Sequence, residues 1–297
     1  MSADDRRLGQ QVWGRKVARL PDRGVLLIAT DLQGNRGDYE AMKAVYAREL
    51  AAGNEPVLAF CGDMVHGPCP ELNLPNMWPS HLGTAYVDDS RELILDFERF
   101  TRDARAFSVL GNHEHAHIGG PRVPKFYPDE AAVLDAALGD ERERVHGFLR
   151  TWPLVAVAPC GVVLTHGAPR GTERSLDDFE TLTYEGYRGE SLWRMLDCGT
   201  VGSLLWARHA TPEQARALLS TVTLTAAPSA FVVFGHDVVC EGYERIGDEQ
   251  LCLSTSFGLF DARKTYLRLD LSKRYGSVRE LREGVELVAL HPDATPR

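Results

Sequence analysis

The sequence predicts an α/β fold in which strands alternate with helices and a second, more antiparallel sheet packs on the first. Between residues 25 and 234, short apolar runs end in glycine or polar residues, and amphipathic segments separate several of them. This alternation is typical of layered α/β folds. The C-terminal third differs, because it has strand patterns at Gln250–Thr255, Thr265–Asp270 and Glu286–Leu290. We expect these strands to form the second sheet.

Five apolar runs predict the strands of the first sheet. A strand exposed on one face alternates apolar and polar residues, whereas these runs are continuously apolar and indicate strands covered on both faces. The runs are Val25–Thr30, Val57–Cys61, Ala106–Leu110, Val162–Thr165 and Phe231–Phe234.

Segments with apolar residues at helical spacing predict the helices. They are Asp38–Ala52, Ser90–Ala104, Pro128–Leu138 and Glu141–Phe148. A further helix should begin after Thr211, because threonine can cap a helix and Pro212 suits the first turn. Gln214 can complete the capping box.

The composition fits a globular protein and argues against some classes of function. The chain has 297 residues, 44% of them hydrophobic, which is enough to bury a sizeable core. A net charge of −9 disfavours nucleic acid and membrane surfaces as partners. The sequence has no apolar run of membrane length and no apolar signal core, so we predict a cytoplasmic protein.

The cysteines support the same compartment. There are six, with no Cys-x-x-Cys pair. Cys61, Cys160, Cys240 and Cys252 lie in or beside apolar runs. We therefore expect reduced core thiols rather than disulfides.

Polar side chains follow all five predicted strands of the first sheet. They are Asp31 with Gln33, Asp63, Asn112 with His113, His166, and His236. Binding sites of α/β sheets gather at the carboxyl ends of strands. One histidine at a strand end is commonly a satisfied core residue, but five strand ends that all offer Asp, Asn or His indicate more than packing. Carboxylate, amide oxygen and imidazole bind ions such as Mn²⁺, Fe²⁺ and Zn²⁺, so the sequence predicts a divalent metal centre.

These segments resemble the five sequence blocks of the calcineurin-like metallophosphoesterases. The matching residues are Asp31-Leu32-Gln33-Gly34-Asn35, Gly62-Asp63, Gly111-Asn112-His113-Glu114, His166-Gly167 and Gly235-His236. The third block and the single histidine of the fifth are most similar to the protein Ser/Thr phosphatase and dinucleoside tetraphosphatase branch. Other branches carry a second histidine where this chain has Val238. No block is specific alone, but five in the family's order form a strong resemblance.

The resemblance implies a fold and a metal site. The fold would be one domain over residues 1–297, with a core of about 24–272 built from two packed mixed β-sheets flanked by helices. The site would hold two divalent ions, with Mn²⁺ favoured and Fe²⁺, Zn²⁺ or Mg²⁺ as alternatives. Asp63 would bridge the ions, Asp31 and Gln33 would bind the first, and Asn112, His166 and His236 would bind the second.

The resemblance also implies a reaction. Two ions would bind phosphate oxygens and generate a hydroxide that attacks phosphorus directly, with no covalent intermediate. His113, next to Asn112, would be the general acid. We expect a Ser/Thr phosphatase-like phosphomonoesterase that acts on a phosphoprotein or a small phosphoester. The alternatives are a dinucleoside polyphosphate hydrolase and a non-catalytic regulatory or binding protein on the same fold.

The sequence departs from the family pattern at two places. Gln33 replaces a histidine, and a neutral amide oxygen binds softer ions less well than imidazole, so the first ion should be loosely held or hard. After Asp63, the family's phosphate-binding arginine is missing, and His66 replaces the aspartate that would orient the general acid. Arg36, Arg170 or Arg208 could substitute for the arginine. His66 could contact phosphate or cap a turn.

Two features near these blocks have open roles. The stretch 66–88 is longer than in typical members and rich in proline and aromatic residues. It could shape the substrate pocket or pack on the sheet as a surface insertion. His115 and His117 should lie beside the site or be exposed rather than bind metal.

Overall fold

The computed structural model of the chain describes residues 16–223 and 228–295, and in this part eleven strands form two sheets. The strands are β1 (Val17–Arg19), β2 (Val25–Ala29), β3 (Val57–Phe60), β4 (Ala106–Ser108), β5 (Val155–Ala158), β6 (Val162–Leu164), β7 (Phe231–Phe234), β8 (Tyr243–Ile246), β9 (Gln250–Leu253), β10 (Thr265–Asp270) and β11 (Leu287–Ala289). The six-stranded sheet has the order β1-β5-β6-β7-β9-β8, and the five-stranded sheet has the order β11-β10-β2-β3-β4. Both sheets mix parallel and antiparallel pairs, as the family resemblance implies.

Helices flank these sheets. They are α1 (Arg36–Ala51), α2 (Ser90–Asp103), α3 (Asn112–Ile118), α4 (Glu130–Leu138), α5 (Arg142–Arg150), α6 (Leu176–Glu180), α7 (Gly199–Trp206) and α8 (Pro212–Thr221). The predicted helices are confirmed as α1, α2, α4, α5 and α8. Thr211 caps α8 as expected, since its side chain accepts a hydrogen bond from the backbone of Gln214.

The inner strands are covered on both faces because successive side chains point in opposite directions. Leu26 and Ile28 of β2 pack in the core between the sheets, together with Val233 of β7. Leu27, which points the other way, packs in a second core that includes Tyr39 of α1. β2 is therefore covered on both faces, as its continuous apolar run predicts.

The expectation that the C-terminal strands form their own sheet is wrong. β9 lies between β7 and β8 in the six-stranded sheet, whereas β10 pairs with β2 in the five-stranded sheet. β11 then pairs with β10. The five predicted strands are likewise divided, with β2, β3 and β4 in one sheet and β6 and β7 in the other. A local pattern specifies a strand and its buried faces, but the partner of a strand depends on the packing of the whole chain.

None of the helices within residues 16–223 and 228–295 combines the length and the apolar character that a membrane crossing requires. All six cysteines are free. Cys61, Cys160 and Cys252 are buried, as expected of core thiols, but Cys240 is exposed in the turn before β8.

Residues 66–88 form an irregular segment with two short 3₁₀ turns at Pro70–Asn73 and Ser80–Leu82. Tyr86 Oη donates to Gln33 O at 2.9 Å. Thr84 N donates to Leu259 O at 3.0 Å. The segment therefore packs on the loops that follow the strands and reaches the backbone of one predicted site residue.

Candidate metal centre

The predicted site residues lie where the two sheets meet at the carboxyl ends of β2, β3, β4, β6 and β7. Among the described residues, seven that are not glycine have positive φ angles, and five of them belong to this region. These five are Asp31, Gln33, Asp63, His66 and His236, with φ between 43° and 71°. This backbone conformation costs about 1 kcal/mol or more per residue and concentrates at functional sites.

Glycines let the strand-end loops approach one another. A Cβ at Gly235 would collide with Asp31 Oδ2, and one at Gly111 would collide with Asp63. The Asp31 carboxylate accepts a hydrogen bond from His236 N, which lies 3.1 Å from both of its oxygens. This contact joins the loop after β2 in one sheet to the loop after β7 in the other.

Asp63, Asn112, His166 and His236 bring their ligand atoms together. His166 Nε2 lies 2.8 Å from Asn112 Oδ1 and 3.0 Å from His236 Nδ1. It also lies 3.4 Å from Asp63 Oδ1. Four strand ends therefore direct nitrogen and oxygen donors to one point, and we refer to these residues as the four-residue set.

The hydrogen bonding of His166 leaves acceptors facing one another in this set. His166 Nδ1 lies 2.7 Å from Cys61 O, a carbonyl that can only accept, so Nδ1 carries the proton in the neutral ring. Nε2 then presents a lone pair toward Asn112 Oδ1 and Asp63 Oδ1. A cation among these atoms would satisfy all three, and a bond such as Nδ1–H to a carbonyl commonly orients metal-binding histidines.

Burial favours the neutral forms of these side chains. It lowers the pKa of His166 and of His236 and raises the pKa of Asp63. Neutral imidazole is the form that binds metal, and a divalent cation would in turn favour the ionised carboxylate. The four-residue set therefore fits a divalent ion.

Asp31 and Gln33, the predicted ligands of the first ion, have other partners. Gln33 Oε1 accepts from Lys125 Nζ at 2.6 Å, and this Nζ lies 3.5 Å from the centre of the Phe257 ring. Lys125 is an exposed residue overall, but burial around its amino group lowers its pKa to about 8, against the attraction of nearby carboxylates. An ion bound by Asp31 and Gln33 would therefore have to displace this ammonium group from the amide oxygen of Gln33.

His113 lies beside the four-residue set. Its Nε2 is 3.7 Å from Asp63 Oδ2, and its Nδ1 is 3.0 Å from His66 Nδ1. The side chain of His66 is only 1% exposed. His66 therefore lies behind His113 and contacts its ring rather than the open part of the site.

Glu130, which the sequence analysis did not identify, lies where these two rings meet. Its Oε2 is 3.4 Å from His113 Nδ1 and 3.5 Å from His66 Nδ1. This oxygen is buried and has no hydrogen-bond partner among the described residues. Burial raises the pKa of Glu130 to about 7. No motif marks Glu130, because it lies at the start of α4, outside the five blocks.

Glu114 holds the loop that carries Asp63, a role that the sequence analysis did not assign. Its carboxylate accepts from the backbone N–H groups of Asp63 (2.9 Å), Met64 (2.7 Å), Val65 (3.2 Å) and Gly111 (3.2 Å). Glu114 is the last residue of the third sequence block, but the block alone does not show that α3 directs this side chain at the loop after β3.

A cleft of about 450 Å³ opens beside His236. It is lined by Arg170, Leu192, Trp193, Leu196, Trp206, Arg208, His209 and His236. Arg208 Nη1 donates to His236 O at 3.1 Å and to Asp237 Oδ1 at 2.7 Å, which fixes the arginine at this cleft. Arg36, the remaining arginine candidate, pairs with Glu40 on α1 and does not line the cleft.

His115 and His117, which could have been exposed, are both buried. His115 Nε2 lies 2.7 Å from Tyr184 O, away from the four-residue set. His117 Nδ1 lies 2.7 Å from Asp135 Oδ1, and its Nε2 lies 2.9 Å from His66 Nε2. His117 is therefore linked to the site through His66.

Comparisons with known proteins identify the family of this chain. The sequence profile of the calcineurin-like phosphoesterase family matches residues 24–240. No curated protein sequence matches the chain significantly. Similar solved structures include a protein serine/threonine phosphatase from Saccharomyces cerevisiae with similarity to human phosphatase PP5, at 15% identity and a TM-score of 0.50 over 86% of this chain and 75% of that one. A cold-active protein-tyrosine phosphatase from a psychrophilic Shewanella species has 12% identity and a TM-score of 0.53 over 88% and 80% of the two chains.

The two solved structures share the fold of this chain, and their low sequence identity limits the likeness to the fold. The family profile goes further, because it covers well over half of the chain and spans all five strand ends that build the candidate centre. The chain therefore belongs to the calcineurin-like phosphoesterases and is a metal-dependent phosphoesterase.

Proposed function

We propose that this protein hydrolyses phosphate monoesters as a Ser/Thr phosphatase-like enzyme, with a divalent ion bound by Asp63, Asn112, His166 and His236. The observation that carries the proposal is the convergence of these donors, all within 3.4 Å of His166 Nε2, beside His113. When bound, the ion supplies a Lewis acid for phosphoryl oxygens and lowers the pKa of water. Mn²⁺ suits this mixture of oxygen and imidazole donors, with Fe²⁺, Zn²⁺ and Mg²⁺ as alternatives.

This proposal needs one ion. The family resemblance implies a second ion beside Asp31 and Gln33, and that ion would first have to displace the Lys125 ammonium from Gln33 Oε1. The two-ion mechanism therefore stays a prediction from the sequence.

His113 would give the leaving oxygen its proton. Its Nε2 faces Asp63, so a protonated ring presents an N–H group on the side of the bound phosphate. Burial, followed by repulsion from His66 and Lys125, lowers the pKa of His113. A dianionic phosphate ester beside the ring would raise this pKa again, so that protonation of His113 is coupled to substrate binding.

Arg170 and Arg208 would supply the positive charge that binds the phosphate group. Both line the cleft beside His236, and a guanidinium group matches the geometry of phosphate oxygens. Arg208 is already fixed to the backbone oxygen of His236. These two arginines are therefore our candidates for the role of the missing family arginine, ahead of Arg36.

One feature of the cleft favours the second candidate function, hydrolysis of a dinucleoside polyphosphate. Trp193 and Trp206 line the same cleft as the two arginines, and Trp193 is 88% exposed. Aromatic side chains stack on nucleobases, and arginines bind the phosphates between them. This lining would suit a substrate that carries both groups.

Metal removal and restoration test the proposal. The protein is treated with a chelator, and Mn²⁺, Mg²⁺, Zn²⁺ or Fe²⁺ is then added back. Four substrates are compared: p-nitrophenyl phosphate, bis(p-nitrophenyl) phosphate, a phosphoserine peptide and diadenosine tetraphosphate. We expect Mn²⁺ to restore hydrolysis of the two monoesters and to restore little hydrolysis of the diester. Preferred cleavage of diadenosine tetraphosphate would support the second candidate.

The same experiment separates an enzyme from a binding protein. If the metal-loaded protein hydrolyses none of the four substrates, both catalytic proposals are wrong, and the non-catalytic alternative is supported. The variant Asp63→Asn, purified in parallel, controls for contaminating phosphatases.

A further inference from the structure

A string of buried imidazoles connects His113 to a carboxylate on α4. His113 Nδ1 lies 3.0 Å from His66 Nδ1, and His66 Nε2 lies 2.9 Å from His117 Nε2. His117 Nδ1 in turn lies 2.7 Å from Asp135 Oδ1. The three imidazole side chains are at most 5% exposed, whereas Asp135 is 24% exposed. The string therefore runs from the candidate metal centre toward the surface.

The carboxylate at its end sets the direction of every hydrogen bond in the string. Burial raises the pKa of Asp135, but hydrogen bonds from His117 and His146 outweigh this effect and hold the pKa below its usual value. The ionised carboxylate can only accept, so His117 Nδ1 donates to it; when the ring carries this single proton, its Nε2 accepts. His66 Nε2 must then donate to His117, and His66 Nδ1 accepts from His113 Nδ1.

We propose that His66, His117 and Asp135 form a positioning string that fixes the ring orientation and the tautomer of His113. This inference rests on the proposed role of His113 as the general acid. Because Nδ1–H of His113 is committed to His66, any further proton on this ring can bind only at Nε2. The string thus puts the acidic proton on the atom that faces Asp63 and the leaving oxygen. It would perform the task that a single aspartate performs in the family pattern at position 66.

Glu130 is the competing partner for His113. Its Oε2 lies 3.4 Å from His113 Nδ1 and 3.5 Å from His66 Nδ1, whereas the two ring nitrogens lie 3.0 Å apart. The shorter distance assigns the hydrogen bond to the pair of rings. Burial raises the pKa of Glu130 to about 7, so it is only in its ionised form that Glu130 favours positive charge where the rings meet.

His146 provides a matched control. Its Nε2 lies 2.8 Å from Asp135 Oδ1, the same oxygen that accepts from His117. His146 is buried like the members of the string, but it does not lie on the path from Asp135 to His113. Its loss should affect stability in a similar way without changing the tautomer of His113.

The kinetic test compares Asp135→Asn with His146→Gln in the Mn²⁺-loaded full-length protein. The asparagine can turn an N–H group toward His117 and reverse the string, as happens when a carboxylate that orients a catalytic histidine is lost. We expect kcat for an alkyl phosphate to fall about 10–100-fold, the range for outer partners of a metal site. Hydrolysis of p-nitrophenyl phosphate should fall far less, because p-nitrophenolate leaves without a proton. KM and metal content should not change, and His146→Gln should leave the ratio of the two rates as in wild type.

Nitrogen-15 spectra of the Zn²⁺-loaded wild-type protein, with labelled histidine, test the string without any substitution in it. We expect the Nδ1–H tautomer for His113 and His117 and the Nε2–H tautomer for His66, with the His113 signals assigned by their loss in His113→Gln. An Nε2–H tautomer for neutral His113 would overturn the proposal.

Two kinetic outcomes would also overturn it. One is an equal loss on both substrates in Asp135→Asn. The other is a selective loss on the alkyl phosphate in Glu130→Gln together with none in Asp135→Asn, which would assign the orientation of His113 to Glu130. If no phosphoester is hydrolysed at all, the proposed function fails, but the spectra still decide whether the string sets the tautomer.

Discussion

The two halves of the candidate centre have opposite electrostatic needs. In the four-residue set, the oxygens of Asn112 and Asp63 lie within 3.4 Å of His166 Nε2, and their lone pairs face its own. In the other half, Gln33 Oε1 already accepts from Lys125 Nζ at 2.6 Å. The donors of one half are arranged for a cation from outside the chain, whereas in the other half an ammonium group of the chain itself engages the amide oxygen. The polar atoms of such a strand-end loop can therefore bind a metal ion or be satisfied by a charged group of the chain itself.

Asp38, elsewhere in this fold, is a carboxylate whose partners are cationic or hydrogen-bonding groups of the chain itself. It is buried, and its oxygens lie 2.7 Å from Lys264 Nζ and 2.7 Å from His291 Nε2. Burial raises its pKa, but these partners together with Ser256 lower it by more, so that the pKa lies below its usual value. The pKa of Asp63 is raised instead. The Asp38 carboxylate is thus balanced by cationic groups of the chain, whereas the Asp63 carboxylate lies beside the nitrogen and oxygen donors of the four-residue set.

The largest expected effect follows from changing Asp63, whose carboxylate contributes the only formal negative charge of the four-residue set. Asp63→Asn should lower turnover of p-nitrophenyl phosphate by roughly 10³-fold or more and reduce the bound metal, because a neutral amide replaces a charged ligand. The fold should persist, since Oδ1 of asparagine can still accept from His113 N. Turnover, elemental analysis and circular dichroism check this. Near-normal turnover, or an equal loss in Asp96→Asn away from the site, would contradict the assignment.

Replacement of His113 should separate chemistry from metal binding. His113→Gln removes the proposed acid and should lower hydrolysis of an alkyl phosphate on the order of a hundredfold. The loss with p-nitrophenyl phosphate should be smaller, and metal content should stay as in wild type. The exposed His81, changed to Gln, is the control. An equal loss on both substrates would argue that His113 holds the site together instead of donating a proton.

The sequence predicts most of the four-residue set because strand ends have local signatures. Apolar runs identify the strands, and the polar residues that follow them, such as Asp63 and His166, come to one edge wherever the strands are parallel. Strand partners were predicted less well. β10 has the same kind of pattern as any buried strand, and only the open edge of β2 explains why it pairs there.

Residues that complete the site from loops and helix starts could not be predicted. Lys125 and Glu130 lie on the segment between α3 and α4 and at the first residue of α4, with no motif around them. Their roles depend on how that segment folds back over the strand ends. The sequence leaves the role of His66 open for the same reason, since its contact with His113 depends on a left-handed backbone conformation with φ of 71°.

A moderate effect on stability is expected at Glu114, whose carboxylate accepts hydrogen bonds from the backbone of the loop that carries Asp63. In the wild type, backbone N–H groups donate to both oxygens of the Glu114 carboxylate. Glu114→Gln replaces one of these oxygens with an NH₂ group, which is a donor and cannot accept from them. We expect the free energy of unfolding to fall by roughly 3 kcal/mol, as when hydrogen bonds to a buried charged group are lost. Urea denaturation measures this, and Glu92→Gln, at an exposed ion pair on α2, should have little effect. A change in Glu114→Gln as small as that of the control would show that the loop is held by other contacts.

The smallest effect is expected from Gln33→His alone. The substitution restores the family's imidazole beside Asp31, but the Lys125 ammonium would still reach this half of the centre. The number of bound ions should therefore stay near that of wild type. Combined with Lys125→Met, which removes the built-in cation, Gln33→His should allow a second ion to bind. Imidazole favours softer ions, so the gain should be larger for Zn²⁺ or Fe²⁺ than for Mn²⁺.

Titration calorimetry and elemental analysis of the single and double variants measure this difference. Lys43→Met is the matched control, because Lys43 also lies near an aromatic ring, that of Tyr39, and bonds a carboxylate far from the site. If Lys125 fills the first position, Lys125→Met should make the effect of Gln33→His visible, and Lys43→Met should not. Tight binding of two ions by the wild-type protein, unchanged in every variant, would mean that neither Gln33 nor Lys125 decides how many ions the centre holds.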